Sequence, residues 1–301
     1  MTVIFENTNR SWSDQSLEKS ICLFKEKEDH KGLVHFLETR LRDEEPACVA
    51  SRSRFWNELG LSRIELEDFD QAMICFENAL LIRSDYVVAR YNAATLAMQT
   101  GDLENALKQF GCILAENDAH FDALVNSGHC YVHLEKHEAA STLFTRALAL
   151  RPDHGQLLFL AGASLLQLGR YEDALPHFRK AHKINDGHFE STQGLAISLL
   201  ETKHYDEAII RCDQALMTFG LAALPLQIKG DALIEMDRIE EAVSCHVDLC
   251  NMDLDIRDFV VIRIQRLRER NPEGFQRYVK VVSENYPQFE TFLGAALNAT
   301  I

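Results

Sequence analysis

Three histidines lie close together in the sequence, at intervals that could create a metal site. His129, His133 and His137 are spaced evenly, one helical turn from each to the next, so on a helix the first two share a face and could chelate a divalent ion. His137, however, belongs to a repeating pattern in which Tyr171 holds the corresponding place, and this indicates packing at a helix turn. Because no third ligand is evident, the sequence predicts neither a metal site nor a cofactor.

A second set of histidines, His120, His154 and His188, is separated by the interval that relates His137 to Tyr171. Zinc ligands lie ~2.1 Å from their ion, whereas equivalent atoms of stacked helices are on the order of 10 Å apart. These histidines cannot share one ion. Duplication of a repeat explains their spacing.

Motifs of catalysis are missing from the sequence. It contains no glycine-rich phosphate loop, no G-x-S-x-G elbow and no H-E-x-x-H, the patterns that position phosphates, nucleophiles and catalytic zinc. The carboxylates are scattered along helical patterns, where solvated faces account for them. We therefore predict that the protein is not an enzyme.

The charge and the hydropathy make two classes of partner unfavourable. The net charge is -15, and since binding to a polyphosphate needs clustered Lys and Arg, nucleic acid and anionic membrane are disfavoured. No apolar run reaches the ~18 residues of a membrane span, so no membrane insertion is predicted.

The cysteines and the N-terminus favour a cytoplasmic location. None of the 8 cysteines forms a C-x-x-C pair, and most lie within helical patterns where a small apolar side chain fits. We expect reduced packing residues and no disulfide framework. The first residues show no basic region followed by an apolar run, so no secretory signal is predicted.

An alanine recurs along the chain at one constant interval, without insertion. The alanines are Ala72, Ala106, Ala140, Ala174, Ala208 and Ala242. One helical turn after each come Phe76, Phe110, Phe144, Phe178, Cys212 and His246. A fixed period of this length is typical of a solenoid that grows by adding units.

Each unit contains two helical segments of about a dozen residues, separated by a short polar break such as Thr100-Gly101-Asp102. The first segment carries a small residue, for example Gly60 or Gly162, that permits close helix packing. The predicted domains are a flexible tail over 1–14, a degenerate helical pair over 15–52, six repeats over 53–256, and a degenerate repeat with a capping helix over 257–301.

The first repeat carries the pattern W-x-x-L-G in Trp56, Leu59 and Gly60, followed by Ala72 and Phe76. This pattern resembles the tetratricopeptide repeat, and all six units match most of its landmarks. The resemblance implies an all-α fold, a right-handed superhelical solenoid of antiparallel helix pairs.

Some residues depart from the family pattern. Arg63 replaces an aromatic residue in the first repeat. Cys212 and His246 replace phenylalanine in the last two repeats, and these two repeats are expected to pack less tightly. Pro176 falls early in a second helix, where it is tolerated if it lies in the first turn.

In the family, the first helix of each unit lines a concave groove. The matching positions here combine apolar groups with amides and few basic groups, which suits a peptide or an amphipathic helix held by apolar anchors and by amides on its main chain. The predicted contact residues are Tyr91, Asn92, Val125, Asn126, His129, Phe159 and Leu160.

Two subclasses of the family can be compared at these positions. Members that clamp the carboxylates of chaperone tails use Lys and Arg where this chain has Asn57, Leu61, Asn92, Asp122 and Asn126, so chaperone-tail binding is disfavoured. Asn92 and Asn126 resemble the start of the asparagine ladder of O-linked N-acetylglucosamine transferases. Leu160, Gly194 and Ile228 interrupt that ladder, and two solvated amides are the alternative interpretation.

One local excess of positive charge lies near the C-terminus. It comprises Arg257, Arg263, Arg266, Arg268, Arg270 and Arg277, here called the basic strip. It could bind an acidic partner or a second copy of the chain, or be the solvated face of a capping helix.

The leading prediction is a non-enzymatic scaffold or adaptor for a protein or peptide. The alternatives are a self-assembling structural protein that uses the basic strip, and a regulatory or substrate-recruiting subunit of an enzyme such as a glycosyltransferase.

Overall fold

The described residues form only helices and the turns that join them. A computed structural model describes residues 14–42, 49–185, 187–252 and 257–289, and these ranges contain no strand. The predicted all-α fold is confirmed. Residues 1–13 and 290–301, which include nearly all of the predicted tail and of the last predicted helix, lie outside the described residues.

The helices begin at the interval that the alanines predict. They are α1 (Asp14–Glu26), α2 (His30–Arg42), α3 (Val49–Glu65), α4 (Phe69–Ile82), α5 (Val87–Gln99), α6 (Leu103–Glu116), α7 (Phe121–His133), α8 (His137–Leu150), α9 (Gly155–Gln167), α10 (Tyr171–Ile184), α11 (Phe189–Glu201), α12 (Tyr205–Phe219), α13 (Ala223–Glu235), α14 (Ile239–Met252), α15 (Arg257–Arg270) and α16 (Pro272–Asn285). From α4 to α14 the starts of the second helices are separated by the interval of the alanines, and α15 follows α13 by the same interval. The helical period therefore continues past the last alanine of the pattern.

The chain divides into two compact units, Met1–Glu135 and Lys136–Ile301. In the first unit, α1 and α2 pack against the first repeat through a core that includes Ile21, Leu37 and Phe55. The Arg63 guanidinium, which replaces an aromatic residue, forms ion pairs with Glu38 on α2 and with Asp68. An ionic contact thus joins the atypical N-terminal pair to the first repeat where the family pattern has a ring.

The turn between the two helices of a repeat needs one residue in the left-handed region. Gly101 and Gly169 adopt φ angles of 85° and 69° there, and Glu67, Glu135 and Lys203 adopt the same conformation at corresponding positions. The conformation is unstrained for glycine and costs other residues roughly 1–2 kcal/mol. The predicted polar breaks are helix-ending turns of one recurring shape.

The histidines spaced by one repeat cap helices. His120, His154 and His188 precede α7, α9 and α11, and the Nδ1 atom of each accepts a hydrogen bond from a backbone N–H in the first turn of its helix, at 3.2, 3.3 and 3.1 Å. The first N–H groups of a helix have no partner within it. Each ring therefore stabilises the start of a first helix.

The small residues permit the close packing predicted from the sequence. In the second unit the Phe178 ring is 1% exposed, and a Cβ atom added to Gly162 or to Gly194 would lie 3.0 or 2.4 Å from it. One ring thus fills the space against two successive first helices.

The structure locates two of the departures from the family pattern. Pro176 is the sixth residue of α10, so it lies in the second turn and not in the first, and the helix lacks one internal hydrogen bond at this exposed position. Cys212 and His246 are 1% and 0% exposed, so the core stays closed where they replace phenylalanine.

Candidate functional site

The residues predicted to contact a partner are half-buried and fall into both compact units. Tyr91 and Asn92 lie on α5, and Val125, Asn126 and His129 lie on α7, in the first unit; Phe159 and Leu160 lie on α9, in the second. Each set forms part of the surface of first helices in its own unit.

Side-chain hydrogen bonds connect consecutive first helices of the first unit in a regular way. Asn92 Nδ2 donates to Asn57 Oδ1 at 2.8 Å, from α5 to α3. Asn126 Nδ2 donates to the Tyr91 hydroxyl at 3.0 Å, from α7 to α5. Both bonds span the same separation in sequence, so each first helix is tied to the preceding one by the same step.

These bonds change the interpretation of the two asparagines. The amide N–H groups are partly used within the protein, and Asn57 is a 2% exposed partner and not a groove position. Among the described residues, neither Asn92 Oδ1 nor Asn126 Oδ1 accepts a hydrogen bond. Both oxygens can therefore receive the main-chain N–H groups of an extended peptide.

The two predicted aromatic anchors have the same surroundings. The Tyr91 ring lies 5.8 Å from Phe110 and 5.9 Å from His120. The Phe159 ring lies 6.2 Å from Phe178 and 5.2 Å from His188. Each anchor thus rests between the core phenylalanine of its own repeat and the capping histidine of the next.

The sequence pattern did not indicate this support of the anchors, because repeat duplication alone explains the spacing of the histidines. The signal that could have found it was the coincidence of two series with the same period, the core phenylalanines and the histidines. An aromatic residue between two fixed rings loses little conformational freedom when a partner binds, which favours anchoring.

His129 is an uncharged member of this surface at neutral pH. Burial, and then the nearby His133, lower the pKa of His129 below its usual range, since both disfavour the charged ring. In the part of the chain that the structure describes, no three His, Cys, Asp or Glu residues are grouped to hold a metal ion.

Within the described residues, three arginines of the basic strip pair with carboxylates of the chain. Arg263 and Arg277 form ion pairs with Asp231 and Asp237, and Arg270 Nη1 lies 3.7 Å from Glu235 Oε1. The Arg268 guanidinium lies 5.8 Å from the centre of the Phe275 ring. The side chain of Arg257 is outside the described residues. The strip is therefore less available to a partner than its sequence suggests.

The buried cysteines are suited to packing. Burial raises the pKa of Cys75 and Cys245 to about 11 and that of Cys212 to about 12, so the nucleophilic thiolate is scarce at neutral pH.

None of the helices over the described ranges has the length and apolar character needed to cross a bilayer.

Curated proteins with similar sequences are considerably longer than this chain. Human anaphase-promoting complex subunit 7 is 25% identical over 182 residues, which are 60% of this chain and 32% of that protein. DnaJ protein P58IPK homolog A of Oryza sativa subsp. japonica is 28% identical over 204 residues, 62% of this chain and 43% of the relative. The chain thus spans about a third to two fifths of these relatives.

Two solved structures share the fold of this chain. A tetratricopeptide repeat protein of Parabacteroides merdae aligns with a TM-score of 0.54 and 18% identity, over 89% of this chain and 98% of that one. YrrB, described as a TPR protein with an unusual peptide-binding site, aligns with a TM-score of 0.55 and 19% identity, over 64% of this chain and 97% of its own. At such identities the likeness establishes the fold.

Family models confirm the resemblance that the landmarks indicate. Four models, each described as a tetratricopeptide repeat, match residues 53–86, 91–148, 120–187 and 165–224. Together they cover more than half of the chain. The chain therefore belongs to the tetratricopeptide repeat family.

Proposed function

We propose that this protein is a scaffold or adaptor that binds a peptide or an amphipathic segment on the inner surface of its first helices. The tetratricopeptide repeat fold is generally a scaffold for protein interaction, and its members are generally not catalysts. The finer proposal concerns the surface of α5 and α7 in the first unit.

The hydrogen-bonded steps between first helices carry this proposal. Asn57 to Asn92 and Tyr91 to Asn126 hold α3, α5 and α7 in register, and each step leaves an amide oxygen open beside a half-buried aromatic or aliphatic group. A row of acceptors beside apolar anchors matches an extended peptide, in which alternate main-chain N–H groups point to one edge and alternate side chains point to one face.

The alternative of a subunit within a larger enzyme has some support. One relative is by its name a subunit of the anaphase-promoting complex, and a scaffold in such an assembly would use the same surface.

Self-assembly through the basic strip is less favoured, because Arg263, Arg270 and Arg277 already face carboxylates of this chain. We propose a cytoplasmic location, which the buried thiols support.

A double variant on α7, Val125→Asp with Asn126→Ala, tests the groove. It places a charge among the apolar contacts and removes one acceptor, so the partners captured from native lysate should fall at least about tenfold in abundance. Asn92 is unsuitable for this test, since its replacement would leave the buried Asn57 carbonyl unpaired at about 1–3 kcal/mol.

The matched control is Ile74→Asp, which makes the same apolar-to-acid change at a 46% exposed position of α4. Capture should be unchanged with this control, and all variants should keep the helical circular dichroism and nearly the same Tm. If the α7 variant captures the same partners as the wild type, the groove is not the binding surface.

A further inference from the structure

A cleft at the C-terminal repeats has a lining unlike that of the first-unit groove. It has a volume of about 600 Å³ and lies among the end of α11, the first helix α13 and the arginine-bearing face of α15. Its charged lining consists of Lys203, Arg263, Arg266, Arg270, Glu201, Asp231 and Glu235. The volume is within the range of ligand-binding clefts.

One ion pair forms the floor of this cleft and is not available to a ligand. Arg263 donates from Nε and Nη2 to the two oxygens of Asp231 at 2.7 and 2.8 Å, and its guanidinium lies 4.5 Å from the centre of the Phe259 ring. The two side chains are 25% and 19% exposed. Such a bidentate pair uses the charges of both residues.

Other polar groups at the rim are also occupied. Asn271 Nδ2 donates to Asp237, and its Oδ1 accepts from the Gly274 backbone as the cap of α16. The Arg270 and Glu235 pair is 3.7 Å apart, with side chains 75% and 47% exposed, and contributes little because water screens it.

Two cations in the cleft have no ion pair within the described residues, namely Lys203 and Arg266, and both are exposed. The Tyr205 hydroxyl likewise has no hydrogen bond to the described residues, and Glu201 is the one lining carboxylate without an ion pair there. Two unpaired cations against one unpaired anion leave the cleft with an excess of positive charge, in a chain of net charge -15.

Apolar side chains lie next to these cations. Leu267 is buried, Leu200 and Ile234 are half-buried, and all three line the cleft. A ligand that satisfies this lining has a carboxylate for Arg266 and Lys203 and an aliphatic group beside it. An acidic segment of a polypeptide combines both in adjacent side chains.

We propose that this cleft binds an acidic peptide segment in which a carboxylate side chain is adjacent to an aliphatic one. Arg266 and Lys203 contact the carboxylate, and Leu200, Ile234 and Leu267 contact the aliphatic group. This site is separate from the groove on α5 and α7, and it recognises charge where that groove recognises main-chain N–H groups.

Calorimetric titration of the full chain with a capped hexapeptide of alternating glutamate and leucine tests the proposal. The wild type should bind it more weakly as salt increases, and Lys203→Ala with Arg266→Ala should weaken binding at least about tenfold, since each charge-assisted bond is lost. A capped peptide of alternating glutamine and leucine should bind at least about tenfold more weakly to the wild type. Arg266→Lys should retain most of the affinity for the glutamate peptide.

The matched control removes the same two residue types elsewhere, as Arg52→Ala with Lys108→Ala, both exposed and without ion pairs among the described residues. Its affinity should stay within about twofold of the wild type. Equal binding by the cleft variant and the wild type would overturn the proposal, as would an equal loss of binding in the cleft variant and in this control.

A second copy of the chain is the competing occupant, because the chain carries a net charge of -15. Light scattering at low and high salt separates the two. A salt-sensitive dimer that dissociates in the cleft variant would assign the cleft to self-association and overturn the peptide proposal. A monomer at both salt concentrations supports it.

Discussion

The second unit fills one recurring core position in two different ways. In α10 the position is occupied by Phe178, which is 1% exposed and lies against apolar surroundings and two glycines. In α14 it is occupied by His246, which is 0% exposed, and whose Nδ1 lies 2.9 Å from the Tyr278 hydroxyl of α16. The added Cβ of Gly162 and that of Gly230 would both lie 3.0 Å from the respective ring.

The comparison shows that the two rings occupy similar space but have different chemistry. Phe178 stabilises the stack by packing alone, whereas the His246–Tyr278 pair attaches the last regular repeat to the degenerate helices by a buried hydrogen bond. The pair has a cost, because His246 Nε2 is buried with no partner among the described residues, and an unpaired buried group is unfavourable.

The largest expected effect comes from removing the Phe178 side chain. We expect Phe178→Ala to lower the free energy of unfolding by about 3–5 kcal/mol, because the cavity faces two first helices and cannot collapse. Urea denaturation followed by circular dichroism measures this change. The control Phe219→Ala removes the same side chain from a 40% exposed position and should cost much less; equal losses would show that the Phe178 core is not tightly packed.

The histidine should make the C-terminal repeats sensitive to acid. Burial, and then the nearby Arg263, lower the pKa of His246 to about 4 from its ordinary 6.5. Between these values the unfolded state binds a proton that the folded state does not, so stability is retained above pH 6.5 and lost as the pH falls toward 4. Over this range the free energy of unfolding falls by an amount on the order of 3 kcal/mol, because each unit of difference between the two pKa values corresponds to about 1.4 kcal/mol.

The double variant His246→Phe with Tyr278→Phe isolates this contribution, because it restores the ring of the regular repeats and leaves no hydroxyl unpaired. Urea denaturation at pH 6.5 and pH 4 should show a smaller acid loss in the variant by that amount. The other histidines are common to both proteins and cancel in the difference. An identical acid loss in the two proteins would mean that His246 is not held neutral by the fold.

The fold was predictable because one period repeats without insertion. The alanine series predicted the spacing of the second helices from α4 to α14, and the small residues predicted the close approach that Gly162 shows against Phe178. The turn that contains Pro176 was not predicted, because it depends on the first residue of α10, and the alanine series sets the spacing of the helices but not the residue at which each begins.

The candidate site was predictable only as a surface. The resemblance to the repeat family predicted Asn92 and Asn126 as groove positions, but their hydrogen-bond partners depend on how far side chains reach between neighbouring helices, from Asn57 and Tyr91. The basic strip shows the same limit, since Asp231 and Arg263 lie on different repeats, and only the stacked helices bring them to 2.7 Å. Pairing across repeats thus decides which polar groups remain for a partner.

The smallest expected effect comes from comparing a glycine that packs against Phe178 with a helical glycine that has open surroundings. A methyl group at Gly194 would lie 2.4 Å from Phe178 Cε1, and the ring cannot retreat because Gly162 adjoins it. We expect Gly194→Ala to cost about 1–3 kcal/mol by overpacking. Alanine also favours a helix over glycine by up to about 1 kcal/mol, so the observed loss understates the steric cost.

Gly111→Ala in α6 measures that gain alone, because a methyl group there meets nothing within 4 Å. It should be neutral or stabilising by up to about 1 kcal/mol. The difference between the two variants in urea denaturation is then the overpacking cost at Phe178. A difference near zero would mean that the ring can move, and that the two-sided contact with Gly162 and Gly194 does not fix the spacing of α9 and α11.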